Sequence, residues 1–247
     1  MRFLILSDIH ANFTALEAAL AATEGRWDSA ICLGDIVGYG PDPNEALDKV
    51  RALGATIIRG NHDKAASKES DASDFNPVAR IAAEWTTNQL RPENLEALKA
   101  LPPGPLQMDG LTFVHGAVAD EDEYIFSPAQ ALGSLLESPT AITFFGHTHF
   151  QGGFSYSNSR LEMIQLKPHA GASFAALHLE PETRYLLNPG SIGQPRDGDP
   201  RAALAIADLG HEVVEFWRVP YDVASVQERM KKAGLPDSLA QRLAFGR

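Results

Sequence analysis

Apolar runs alternate with helical patterns up to about residue 60. Residues 3–6 read as a buried strand, 14–22 as an Ala- and Leu-rich helix, and 30–33 as a second strand. Residues 43–53 form a helix with proline near its start, and 55–58 make a third apolar run. Proline suits a first helical turn, where an N–H would have no intrahelical partner. Strand–helix–strand repetition predicts a parallel sheet with right-handed crossovers. Ligands of such sheets bind outside the carboxyl ends of the strands, so polar motifs just after strands mark the place for chemistry.

The pattern then changes. Residues 64–101 are helical in character, with Asn76-Pro77-Val78 as a helix start and Ile81, Trp85 and Leu90 as one apolar face. Pro92-Glu93 opens a second short helix, which the proline-rich run 101–105 ends. We expect a helical insert over about 64–101 that covers the site, within a single domain spanning 1–247. Short β segments follow at 111–114, 142–145, 152–156, 161–166, 172–179 and 185–187. Segments 202–207 and 213–219 flank a turn at Gly210-His211, and the chain ends in helix.

Composition narrows the class. The 247 residues, 44% hydrophobic and 21% charged, suffice for one large α/β domain. No run approaches the roughly 20 apolar residues of a membrane span. Met1 leads directly into the first strand, so no signal peptide is expected. The single cysteine, Cys32, lies in an apolar run and reads as a small core residue, so a cytoplasmic protein is expected, as monomer or homodimer. A net charge of −11 disfavours long nucleic acid, because duplex binding needs a basic face. A small anionic substrate remains compatible, since bound divalent cations reverse the field locally.

Five motifs follow apolar strands in this order: Asp8-Ile9-His10, Gly34-Asp35-Ile36-Val37-Gly38, Gly60-Asn61-His62-Asp63, His115-Gly116 and Gly146-His147-Thr148-His149. In an extended segment residues i and i+2 point to one side, so Asp8 with His10, and His147 with His149, are expected to face a common point in pairs. Carboxylate with imidazole suits Mn, Fe, Zn, Co or Ni, whereas all-oxygen shells suit Mg or Ca. Seven donors exceed the needs of one ion; two divalent ions sharing an aspartate would use them all.

The set resembles the calcineurin-like metallophosphoesterase superfamily, in particular its small bacterial and archaeal phosphodiesterase branch, whose pattern runs DxH, GDxxG, GNH(D/E), an isolated His and GHxH. Asn188-Pro189-Gly190-Ser191 is similar to that branch too. The resemblance implies an α/β fold of two packed β-sheets flanked by helices. It implies one metal held by Asp8, His10 and His149, a second by Asn61, His115 and His147, and Asp35 bridging both. It places His62 near the leaving group as the catalytic acid, off the metals. The implied activity is hydrolysis of small phosphate esters or nucleotides, phosphodiesters above all, by a water activated between two ions. A nucleotide pyrophosphohydrolase is the related alternative. The protein phosphatases of the superfamily carry Asp-Arg where this chain has Gly38-Tyr39. A phosphoprotein phosphatase is therefore not expected, and the orienter of His62 stays unassigned.

Plainer roles stand beside these. Asp63 either orients His62 or caps the helix near Lys64. Asn12 touches substrate or caps the helix at Thr14, the cap being favoured. Tyr39 lines the pocket or packs its loop, and Arg196 meets a phosphate or is a solvated loop charge. His169, His178 and His211 fall outside every motif. A non-catalytic scaffold would be expected to have lost donors or His62, and all are present. A two-metal C–N or C–S hydrolase lacks support, since one such group carries an HxHxDH arrangement that is missing here.

Overall fold

A computed structural model describes residues 1–70, 72–169 and 171–247. The chain opens with β1 (Arg2–Leu6), α1 (Phe13–Ala22), β2 (Ser29–Cys32), α2 (Pro43–Ala52) and β3 (Thr56–Ile57). Helices α3 (Asn61–Ser67), α4 (Pro77–Gln89) and α5 (Pro92–Lys99) follow, then β4 (Leu106–Met108), β5 (Leu111–Phe113), α6 (Pro128–Glu137) and β6 (Ile142–Phe144). The second half holds β7 (Gly152–Ser157), β8 (Arg160–Ile164), β9 (Phe174–His178), β10 (Arg184–Asn188), β11 (Ala202–Asp208) and β12 (Val213–Val219). Helices α7 (Val223–Lys232) and α8 (Asp237–Leu243) close it.

Two mixed six-stranded sheets result, ordered β3-β2-β1-β11-β12-β9 and β4-β5-β6-β10-β7-β8. The predicted parallel unit is β1, β2 and β3, and β11 adds to β1 antiparallel. In the second sheet β5, β6 and β10 run parallel. Period-two alternation explains the layering. Phe3 and Ile5 of β1, Ile31 of β2 and Phe216 of β12 point inward and meet Phe113, Phe144, Tyr185 and Leu187 of the facing sheet. Leu4, Leu6, Cys32 and Leu204 point outward and bury against Leu16 and Ala19 of α1 and Leu47 and Val50 of α2. On the far side Ala131 and Leu135 of α6 cover Phe154 and Leu186. Helix, sheet, sheet, helix is the order of layers.

Two expectations are corrected. The helical stretch begins at Asn61, because Gly60 is extended and serves as its N-cap. In α4 the buried face is Ala79, Ala82, Ala83 and Thr86; Trp85 and Leu90 pack against the core as expected, but Ile81 is 53% exposed, since small residues let the helix pack closely. The short edge strand β4 and helix α6 add to the expected elements; α6 opens on a Ser127–Gln130 capping box. Helices α4, α7 and α8 gather around Tyr39 in a separate cluster, which ties the C-terminal segment to the motif loops. Among the described residues no helix is long and apolar enough to cross a membrane.

Candidate metal centre

The five motifs lie at the carboxyl ends of β1, β2 and β3 in one sheet and β5 and β6 in the other. Glycine permits their contact: a Cβ on Gly34 would stand 2.4 Å from the Gly60 nitrogen, and one on Gly60 would stand 2.2 Å from Asp35 Oδ1. Asp8, His10, Asp35, His147 and His149 all have positive φ, between 49° and 64°. The expectation of extended donor segments is thus overturned. Non-glycine residues in this region cost on the order of 1–3 kcal/mol each and persist only where neighbours hold them. Here the Asp8 and His10 N–H groups donate to Gly34 O and Asp35 O at 3.1 and 2.9 Å, and the His147 N–H donates to the Asp8 carboxylate. The turn also separates His147 from His149, which do not face a common point.

Two buried donor groups form instead. Asp8, His10, Asp35 and His149 gather in one, and Asp35, His115 and His147 in the other, with donor atoms within 4.8 Å of one another in each. Asp35 belongs to both. Its Oδ1 accepts the His62 N–H at 2.8 Å, leaving Oδ2 3.6 Å from His10 Nε2 and 3.5 Å from His115 Nε2. Asn61 Oδ1 stands 3.2 Å from His115 Nε2 and extends the second group. The seven residues expected as ligands therefore converge, around one central carboxylate.

The chemistry of this donor set fits cations. His10 Nε2 and His149 Nε2 lie 3.1 Å apart, while their Nδ1 atoms face Val37 O at 3.2 Å and Gln194 O at 2.6 Å. If both Nδ1 atoms carry protons, two lone pairs collide; if either tautomer is switched, a lone pair meets a carbonyl. A neutral pair always leaves one acceptor against another, and a cation between the rings resolves it. His115 Nε2 and His147 Nδ1 repeat the arrangement at 3.1 Å, with Leu33 O and Asp122 O behind them. Burial holds His10 and His149 well below the ordinary histidine range, and His147 likewise. Burial also opposes charge on His115, but Asp35 outweighs it and raises that ring to about 9. Burial raises Asp8 to about 7. It opposes ionisation of Asp35 as well, yet His115 and His62 keep that carboxylate well below its usual value.

His62 belongs to neither donor group. Its ring is buried between Tyr39 and Phe75, at centroid distances of 4.3 and 4.5 Å. Its Nδ1 has no partner among the described residues, and a Cβ on Gly38 would lie 2.6 Å from it. Gly38 thus occupies the place from which a side chain would reach that nitrogen. Asp63 does not orient His62. Its Oδ1 accepts the Ile36 and Val37 N–H groups at 3.0 and 3.2 Å, and its Oδ2 accepts that of Gly60 at 3.0 Å. It caps α3 and buckles two motif loops together. Asn12 is held as well: Oδ1 accepts the Ala15 N–H, and Nδ2 donates to Gly193 O. This buried amide caps α1, the favoured role. Tyr39 packs on His10 at 4.7 Å and lies beneath the Arg196 guanidinium at 5.8 Å, so both line the wall of the centre.

Sequence reasoning missed Tyr124, whose ring stacks on His147 at 3.6 Å, and Phe75 over His62. Both flank a cleft of about 190 Å³ that Asn61 and His147 also line. The predicted insert therefore borders the centre through its loop before α4. Lys64 reaches across to Glu121 and Asp122 and fixes the loop whose carbonyl meets His147 Nε2. No motif flagged these positions. Exposed His169, His178 and His211 lie outside the centre.

Buried Asp and His donors sharing one carboxylate, at the open end of a two-sheet sandwich, define a metallophosphoesterase type of centre. Residues 1–212 match the calcineurin-like phosphoesterase superfamily domain. The crystal structure of a metallophosphoesterase from Sphaerobacter thermophilus is 42% identical and covers 100% of this chain and 99% of its own, with a TM-score of 0.83. An uncharacterized protein of Methanocaldococcus jannaschii is 35% identical over 253 aligned residues, 98% of this chain and 97% of the relative. A hypothetical protein of Pyrococcus horikoshii, 21% identical, shares the fold over 100% of this chain and 98% of its own, with a TM-score of 0.80. The chain belongs to the calcineurin-like phosphoesterase superfamily and is a phosphoester hydrolase of that family.

Proposed function

We propose that the protein is a phosphodiesterase for small phosphate esters, nucleotides included, working with two divalent ions of the Mn, Fe, Co, Ni or Zn kind. The carrying observation is the sharing of Asp35 by two donor groups, in each of which two imidazole nitrogens face each other at 3.1 Å. Asp8, His10 and His149 would hold one ion and Asn61, His115 and His147 the other, with Asp35 placed to serve both. Bound there, the ions supply acidification of water and polarisation of phosphoryl oxygens.

The remaining tasks fall to the chain itself. Backbone carbonyls behind His10, His115, His147 and His149 hold each ring with its free nitrogen aimed inward. His62, one residue from Asn61 and off both groups, donates to the departing oxygen as it leaves. Phe75 and Tyr124 narrow the entrance and, with the net charge of −11, favour small substrates over long nucleic acid.

The test reconstitutes metal-free protein with Mn, Fe, Co, Ni, Zn or Mg and follows bis-p-nitrophenyl phosphate hydrolysis alongside metal content. Turnover with about two ions per chain is expected for transition metals. No turnover with any ion, or full activity at one ion per chain, would overturn the reading.

A further inference from the structure

The C-terminal helix brings a second arginine to the wall where Arg196 lies. Arg242, in α8, is half-buried, and its Nη1 donates to Gln194 Oε1 at 3.2 Å. Arg196 donates to the same oxygen from Nη2 at 2.9 Å and from Nε at 3.3 Å. One neutral amide oxygen thus holds two guanidiniums side by side. Nearby arginines are matched differently: Arg218 pairs with Asp197, Arg201 with Asp199 and Arg229 with Asp42. Among the described residues no carboxylate lies within ion-pair distance of Arg196 or Arg242, in a chain of net charge −11. Nε and Nη2 of Arg242 make no bond within the described chain. Burial, and then the charge of Arg196, lower the pKa of Arg242.

The pair is fixed to the metal centre. Gln194 is buried; its N–H donates to Ser191 Oγ at 2.8 Å and its carbonyl faces His149 Nδ1 at 2.6 Å. Arg196 N–H donates to His149 O. The guanidiniums therefore stand beside the Asp8–His10–His149 group, while the cleft at Tyr124 is lined by Asn61 and His147 of the other group. Guanidinium presents a planar fork of donors that matches phosphoryl oxygens in a bidentate manner.

We propose that Arg196 and Arg242 bind a second phosphoryl group of the substrate, joined by a short bridge to the one that reacts. The inference rests on the phosphoesterase reading and narrows its substrates to compounds bearing two linked phosphoryl groups. Arg242 is then a specificity-determining residue contributed by the last helix, and Gln194 is the positioning residue that couples it to His149.

The probes are methylenediphosphonate and methylphosphonate, which the enzyme cannot hydrolyse. Their binding to metal-loaded protein is measured by calorimetry and by inhibition of bis-p-nitrophenyl phosphate hydrolysis, with metal content checked afterwards. Arg242→Gln is expected to weaken methylenediphosphonate about 10- to 100-fold, the range of one hydrogen bond to a charged group. Its effect on methylphosphonate should be at least about tenfold smaller, with Arg242→Lys recovering part of the loss. The core contacts of α8 come from Leu239, Ala240 and Leu243, so the fold should survive; Arg196→Gln supplies a second variant. Equal losses for both anions, or none for either, would overturn the proposal. Absence of turnover would count against the phosphoesterase reading alone, because the calorimetric comparison requires no catalysis.

Discussion

Replacing Asp63 tests whether this carboxylate is a structural buckle or a partner of His62. It is 1% exposed and accepts three backbone N–H groups, those of Ile36, Val37 and Gly60. In Asp63→Asn the remaining oxygen can keep Ile36 and Val37, while the new amide nitrogen faces the Gly60 N–H, donor against donor. One orphaned buried donor costs about 1–3 kcal/mol. Asp63→Ala orphans all three and also removes a buried charge that was costly to desolvate, so the net loss is smaller than three such penalties, about 3–5 kcal/mol. For a chain of this length each kcal/mol moves the melting temperature by roughly 2–4 °C. The assay is thermal and urea unfolding of the metal-free variants, so that changes in metal affinity do not contribute. Val37 O also faces His10 Nδ1, so Asp63→Ala, which frees Val37, should weaken metal binding on the His10 side as well. A loss below about 0.5 kcal/mol for Asp63→Ala, with activity alone impaired, would refute the buckle and return Asp63 to a role beside His62.

Two further outcomes follow from the centre. Asp35→Asn can keep its bond to the His62 N–H through Oδ1, but presents an amide donor where His10 and His115 require a shared anion. Dialysed protein should lose metal from both positions together, and retention of one full equivalent would contradict the bridging role. His62→Ala should keep both ions yet lose most of the roughly 10²- to 10⁴-fold contribution of a positioned acid on a nucleotide alkyl ester. The loss should be much smaller on bis-p-nitrophenyl phosphate, whose leaving group departs without a proton; equal losses in kcat/KM at unchanged metal content would remove His62 from the leaving group.

The legibility of this centre in the sequence has a physical boundary. Which loops meet was readable, because five apolar runs end in glycine-flanked polar motifs, and carboxyl ends of parallel strands in adjoining sheets converge. How donors divide within a loop was not. The two-residue rule holds for extended backbone, whereas His147 and His149 are left-handed and turn to different groups. That conformation is imposed from outside the motif: Asp8 accepts the His147 N–H, and Asn188 Nδ2 donates to Gly146 O and Thr148 Oγ1 at 2.8 and 3.0 Å. The same distinction decides the ambiguous acids and amides. Asp63 and Asn12 carry cap signatures that a ligand or substrate contact would share, and only their hydrogen-bond partners, up to 181 positions away for Asn12 and Gly193, separate the roles. Arg242 is the limiting case. It sits in an amphipathic C-terminal helix with no motif around it, and its pairing with Arg196 exists only because Leu239, Ala240 and Leu243 dock α8 beside Tyr39. Local patterning specifies donors and the strands that carry them; the apolar faces that bring distant elements together specify what else stands at the site. On the proposed role of Arg242, substrate recognition depends on core packing of the last helix, and mutations at Leu239 or Leu243 should alter it without touching any motif.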